Sequence, residues 1–343
     1  KLSEATEREA KTIHRALQVD FKSKRFIYNE QNPLPYNVII VDEVSMVDVN
    51  LMCSLLKAVA RDTKLIFVGD KDQLPSVGAG NVLEDMLSSE VIKVSQLTQI
   101  YRQNEKSLII SNAHKINKGE MPEIDNKSND FFFESKIELE DIKNSIVDMV
   151  TTRIPKFKNI DSLKIQVLAP LKAGICGIEN LNKELQLKLN PYKKFKNEIT
   201  VGTTIFREGD KIMQTANNYD IEWKRQVGLY TENGAGVFNG DIGYIHSINN
   251  QTGEVVIWFE DGRECSYPRT ELSQLSLAYA ITIHKSQGSE FDVVIIPAIA
   301  GPSLILNRNL IYTAVTRAKK MVVIVGEKKN LKRMISNKFI LKR

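Results

Sequence analysis

No Gly-Lys pair occurs anywhere in the 343 residues, so the phosphate-cradling loop Gly-x-x-x-x-Gly-Lys-Ser/Thr is absent from them. Cysteine is scarce. Cys53, Cys176 and Cys265 are widely spaced and odd in number, which argues against a disulfide scaffold or zinc knuckle and for a reducing compartment, expected to be the cytoplasm. No apolar run suffices for a membrane span. Val293 to Leu306 is broken by Pro297, Gly301 and Pro302 and is shorter than the roughly 20 residues required. Acid is nearly missing from the end of the chain: between Arg317 and Arg343, ten Lys and Arg residues face one carboxylate, Glu327. The overall net charge is +5, so the remaining residues are net acidic. A basic tail of this kind suits either a phosphate backbone or a solvated helix face. There is no initiator methionine at Lys1 and no signal-peptide pattern after it, and the chain is expected to be a piece of a longer protein.

What is present reads as a soluble globular chain of about two domains, with 42% hydrophobic and 26% charged residues. Short β-branched runs at Val38–Val41, Leu65–Val68, Ile165–Leu168, Val293–Ile296 and Met321–Val325 are continuously apolar, the mark of parallel strands covered on both faces. Helical spacing, as in Leu51, Met52, Leu55, Leu56 and Val59, lies between them. Alternation of this kind implies a layered α/β fold. From about Arg207 to Leu272 the pattern changes to short strands and turns, with a hairpin expected at Asp261-Gly262. This stretch is read as an all-β insertion.

Five segments carry chemistry. Val38 to Val41 ends in Asp42-Glu43, placing two carboxylates at the C-terminal edge of a strand, where α/β sheets bind ligands. In nucleotide hydrolysis the first acid holds Mg²⁺ and the second deprotonates water; the plain alternative is a strand end before a helix capped by Asp48. Leu65 to Val68 opens into Gly69-Asp70-Lys71-Asp72-Gln73-Leu74-Pro75, where Gln73 is suited to sense a γ-phosphate without carrying charge, although a simple turn explains the same residues. Arg102 in Leu97 to Gln103, and Arg317 in Leu310 to Lys319, can each pair bidentately with phosphate oxygens; either alone reads equally as a surface arginine. Ala278 to Phe291 is expected as a helix turning at Gly288 into a strand, with Thr282, His284 and Lys285 available for phosphate contacts.

In order and content these segments resemble the motifs of superfamily 1 DNA helicases. They resemble most the RecD-like branch, the exodeoxyribonuclease V alpha-subunit type, which moves 5′ to 3′. The resemblance is carried by Ala10 to Arg15, Thr282 to Glu290, Asn309 to Lys319 and the phrases Gly209 to Gln214 and Val237 to Asp241. It implies an α/β fold with two RecA-like parallel-sheet domains, the first incomplete, and a small Src-homology-3-like β-barrel inserted in the second. The boundaries expected are 1–96 for the first domain, 97–206 and 274–343 for the second, and 207–273 for the barrel. ATP and Mg²⁺ would bind between the two domains and single-stranded DNA across them. By motif match, Asp42 would ligate Mg²⁺, Glu43 would be the catalytic base, Gln73 the γ-phosphate sensor, and Arg102 and Arg317 the arginine fingers. Tyr101 would stack on adenine and Glu290 would contact the ribose. Thr12, His14, Thr282 and His284 match positions near the DNA path, and Trp223 on the barrel could stack on nucleic acid.

The missing phosphate loop departs from the family pattern, so these residues alone are expected to hydrolyse essentially no ATP. The longer protein is expected to be a DNA-stimulated ATPase acting in recombination or repair, with unspecified protein partners and no membrane. The alternatives are a non-hydrolysing DNA-binding module, the helicase part of a conjugative relaxase, or a viral RNA helicase. No second carboxylate cluster with two-metal spacing supports nuclease chemistry.

Overall fold

A computed structural model describes Thr6 and residues 10–20, 25–97 and 107–338. The chain divides into two compact units, residues 1–105 with 340–343, and residues 106–339.

In the first unit, helix α1 (Ile13–Leu17) leads into a short hairpin of β1 (Val19–Asp20) and β2 (Arg25–Phe26). Strands β3 (Val38–Val41) and β4 (Lys64–Phe67) pair in parallel, joined by a crossover containing α2 (Val49–Lys57). The Asp48 carboxylate caps α2 by accepting from the Leu51 N–H at 2.8 Å. Met52 and Leu55 of α2 bury against Leu17, Leu34, Val41 and Val44. Helix α3 (Val82–Ser88) adds Val82 and Leu83 to this core. The opposite face of the sheet is open: Val38, Ile40 and Ile66 are 52%, 51% and 41% exposed.

In the second unit, α4 (Leu108–Lys118) precedes β5 (Phe131–Ser135), and α5 (Leu139–Asp148) and α6 (Ile154–Lys158) precede β6 (Ile165–Ala169). Helix α7 (Ile178–Leu189) then leads to the β-rich segment. That segment comprises β7 (Glu198–Val201), β8 (Thr204–Arg207), β9 (Lys211–Gln214), β10 (Asn218–Val227), β11 (Tyr230–Val237), β12 (Ile242–Ile248), β13 (Val255–Phe259), β14 (Arg263–Tyr267) and β15 (Leu275–Leu277). The chain returns through β16 (Ala280–Thr282), β17 (Phe291–Ala298), α8 (Arg308–Thr316), β18 (Ala318–Gly326) and α9 (Lys328–Ser336).

The parallel sheet has the order β16-β6-β17-β18-β5. One face packs on α5 and α7 through Ile142, Ile146, Leu181 and Leu185, against Val167, Ile295 and Val323. On the other face Val294, Ile296, Val322 and Ile324 are fully buried, where α4, α8 and α9 pack. The continuous apolar runs of β6, β17 and β18 thus take the two-sided burial their composition calls for, whereas those of β3 and β4, read the same way from sequence, are covered on one face only among the described residues. The β-rich segment is an antiparallel sheet of order β11-β10-β14-β13-β12-β9-β15. Its hairpin at Asp261-Gly262 joins β13 and β14 as the turn residues imply. The β7–β8 hairpin also contributes Ile199 and Phe206 to its core, so that core begins before residue 207.

One element corrects the sequence reading. Ala278 to Gly288, expected as a helix, is strand β16 followed by a 3-10 turn over Ile283–Ser286. Ala280 to Thr282 pairs in parallel with Val167 to Ala169 and completes that edge of the sheet. The β-branched Ile281 and Thr282 favour extended backbone there.

Candidate functional site

In the first unit the site is built by the ends of two adjacent strands. The Val68 N–H donates to the Val41 carbonyl at 2.8 Å, and the Val44 N–H donates back to the Val68 carbonyl at 3.0 Å. These bonds set Asp42-Glu43 beside Gly69-Asp70. A side chain at 69 would meet the Val44 and Ser45 amide nitrogens at 3.3 and 3.4 Å, so glycine permits the close approach. Glu43 adopts a left-handed backbone, φ 52° and ψ 42°. For a non-glycine residue that conformation costs on the order of 1–3 kcal/mol, and such strain collects at functional sites. The Asp42 carboxylate is exposed and accepts from the Glu43 N–H at 2.9 Å.

Asp70 organises the facing loop. Its carboxylate accepts from the Asp72 N–H at 3.0 Å and from Gln73 Nε2 at 3.3 Å. Gln73 is therefore brought to the same strand edge as Asp42 and Glu43, its amide held by a carboxylate. Sequence reasoning named Gln73 but gave Asp70 no role; its place three residues earlier in a Gly-Asp turn was the available signal. The loop continues across the start of α2: the Val49 N–H donates to the Ala79 carbonyl at 3.0 Å. An exposed carboxylate at a strand end is a donor set suited to Mg²⁺, which takes one or two carboxylates and completes its shell with water and phosphate. Among the described residues no group of three or more His, Cys, Asp or Glu forms a dedicated metal cage.

Thr12 and His14 are exposed on α1, where Thr12 Oγ1 caps the helix by accepting from the Arg15 N–H at 3.3 Å. Tyr101 and Arg102 lie outside the described residues.

In the second unit, parallel pairing of β17 with β18 brings Arg317 to Ser289 and Glu290. Arg317 ends α8 and is 4% exposed; its Nη1 donates to the Ser289 carbonyl at 3.3 Å, while the Phe291 N–H donates to the Arg317 carbonyl at 2.9 Å. Glu290 pairs with Lys319 at 3.5 Å. Thr282 is buried at the end of β16 and caps the 3-10 turn by accepting from the Lys285 N–H at 3.4 Å; His284 is exposed on that turn. Lys285 is half-buried, and burial together with the nearby Lys172 ammonium pushes its pKa below the ordinary lysine value. That is the electrostatic setting of a place that favours an anion. Lys172, on the loop after β6, was not singled out from sequence.

Trp223 is half-buried. Its ring packs against Gly234, with the Arg225 guanidinium 5.9 Å from its centroid. Arg225 pairs with Glu232 and Lys224 with Glu264, so both neighbouring cations are engaged within the barrel. The exposed tryptophan is Trp258, stacked on His246 at 3.7 Å, a pairing between strands that sequence spacing does not reveal.

Comparison with known proteins agrees along the chain. Residues 1–132 match the family model described as AAA domain, 181–259 the ATP-dependent RecD-like DNA helicase SH3 domain, and 277–325 the UvrD-like helicase C-terminal domain. The ATP-dependent RecD2 DNA helicase of Deinococcus radiodurans is 33% identical, across 93% of this chain and 40% of that protein. The RecBCD enzyme subunit RecD of Haemophilus influenzae is 29% identical, across 96% of this chain and 57% of its own length. The chain thus spans about half the length of these relatives. Among solved structures, the Pif1 helicase from Bacteroides in complex with ADP-AlF3 and ssDNA shares the fold, with a TM-score of 0.52 at 17% identity over 94% of this chain and 80% of that one.

Proposed function

We propose that this chain, whose matching models and relatives are those of RecD-like helicases, is the core of an ATP-driven motor moving 5′ to 3′ on single-stranded DNA. The observation that carries this reading is the Asp42-Glu43 pair beside Asp70 and Gln73, with Glu43 held in a strained backbone at the C-terminal edge of two parallel strands.

Asp42 would hold Mg²⁺, which would supply positive charge against the nucleotide phosphates. Glu43 accepts a proton from the attacking water. Gln73, fixed by Asp70, hydrogen-bonds on the γ-phosphate side and distinguishes nucleotide states without adding charge. Arg102 and Arg317 offset charge that develops in the transition state, an effect of about 10³–10⁵ in rate in other NTPases. Tyr101 stacks on the adenine and Glu290 contacts the ribose. Thr12, His14, Thr282 and His284 line the DNA path, with Trp223 on the barrel. The word subunit in the name of the Haemophilus relative supports assembly with protein partners; a role in recombination or repair and a cytoplasmic location, in keeping with the scarce cysteines, are part of the same proposal. These 343 residues contain no Gly-Lys pair, and without a phosphate loop of that kind they hydrolyse essentially no ATP on their own.

Strand displacement by the full-length protein tests the direction. Duplexes with a 5′ single-stranded tail should unwind and those with only a 3′ tail should not. Equal unwinding of both, or a preference for the 3′ tail, contradicts the proposal.

A further inference from the structure

Of the basic residues that crowd the end of the chain, the first three are engaged. Arg317 is buried, Lys319 pairs with Glu290 at 3.5 Å and Lys320 with Asp292 at 2.9 Å. Lys328, Lys329, Lys332 and Arg333 on α9 differ. All four are exposed, and among the described residues no carboxylate lies within 4.0 Å of any of them. The helix is fixed from behind, with Leu331, Met334 and Ile335 buried. Lys328 and Lys332, and likewise Lys329 and Arg333, are spaced i,i+4, giving two rows of cations about 6 Å apart along the axis. Like charges so arranged repel one another, and an anion placed across them removes that repulsion.

The position is informative as well. All five strands of the sheet run the same way, so their C-terminal ends share one edge. The end of β16 carries Thr282, His284 and Lys285; the end of β18 carries Lys328 and Lys329. Three strand spacings separate them, roughly 14 Å along the edge. The outward residues of α9 include no exposed apolar anchor of the kind that protein interfaces are built around. Evenly repeated cations without such an anchor fit a regular polyanion.

We infer that the outward face of α9 is a second, sequence-independent contact for a nucleic-acid phosphate backbone, distinct from the Thr282–His284 path. The inference rests on the motor reading for the identity of the polyanion. Such a contact adds affinity through counterion release and leaves chemistry untouched.

The test compares the full-length protein with the combined variant Lys328→Gln, Lys329→Gln, Lys332→Gln and Arg333→Gln, and with a charge-retaining control, Lys328→Arg, Lys329→Arg and Lys332→Arg. Binding of a thymidine homopolymer is measured by fluorescence anisotropy across a salt series, with DNA-stimulated ATP turnover in parallel. The slope of log affinity against log salt should fall by about 2 to 3 in the glutamine variant, at about 0.7 per lost phosphate contact on a single strand. Affinity at low salt should drop at least tenfold, and the arginine control should match the parent. An unchanged slope in the glutamine variant, or an equal loss in the arginine control, overturns the inference. Turnover of the unaltered protein reports separately on the motor reading: DNA-stimulated turnover with an unchanged slope in the glutamine variant sinks only the α9 contact. A lowered slope without turnover in the unaltered protein sinks only the motor.

Discussion

Lys211 shows what a single buried side chain can cost and how the protein offsets it. Its ammonium is buried against the α/β layer, donating to the Leu163 carbonyl at 2.8 Å and to Gln166 Oε1 at 3.0 Å. Burial pulls its pKa from 10.5 to about 8, with Glu260 and Asp161 opposing the shift. A neutral amine retains two N–H donors, enough for both acceptors. Below pH 8 both folded and unfolded states carry the proton. Between about 8 and 10.5 the folded state sheds a proton that the unfolded state keeps, so stability rises with pH across that window. Denaturant unfolding of the full-length protein and a Lys211→Met variant should show the unaltered protein gaining relative to the variant from pH 8 to 10; a constant difference contradicts the account. The three thiols give a second expectation. Cys53 is exposed, whereas burial raises Cys176 to about 11 and Cys265 to about 12. Alkylation mapped by mass spectrometry should modify Cys53 rapidly and the other two only on unfolding. Rapid modification of Cys265 would contradict the barrel packing.

At the scale of elements, the barrel hairpin β10–β11 depends on a glycine that faces a tryptophan. A Cβ at Gly234 would stand 2.4 Å from the Trp223 ring. Gly234→Ala should therefore destabilise by about 1–3 kcal/mol through overpacking, measurable as a lower denaturation midpoint; an unchanged midpoint would show that the ring moves freely. The strands were readable because short, continuously apolar runs stop abruptly at a charged residue or a glycine, as Val41 stops at Asp42 and Val68 at Gly69. The segment from Ala278 to Gly288 was not, because Ala-Ile-Thr-Ile suits helix or strand and the free edge of β6 decides between them. The site divides in the same way. Asp42, Glu43 and Gln73 were legible as motif residues at strand ends. Asp210 was named only within a phrase, because its partners Asn190, Gln186 and Tyr279 lie 20, 24 and 69 residues away. Its carboxylate accepts from all three and from the Arg207 N–H, while burial raises its pKa. It joins α7, β8 and the start of β16 into one body, a role that only the fold discloses.

At the scale of the whole molecule, charge and chemistry are separated. The acidic strand ends of the first unit suit a metal-bound nucleotide, and the cations at the end of the second unit suit a polyanion. The absence of a Gly-Lys pair leaves Asp42 and Glu43 without a phosphate cradle of that kind among these residues, and we accordingly assign turnover, as part of the proposal, to the full-length protein. The most direct measurement of the central claim is ATP hydrolysis by that full-length protein, with and without single-stranded DNA, alongside Glu43→Gln. Loss of the carboxylate removes the proposed base while leaving size and hydrogen bonding nearly intact. The account predicts turnover raised many-fold by DNA and reduced at least 10²-fold in the variant, the usual share of a general base. No turnover with DNA binding intact, or equal turnover in Glu43→Gln, would contradict it.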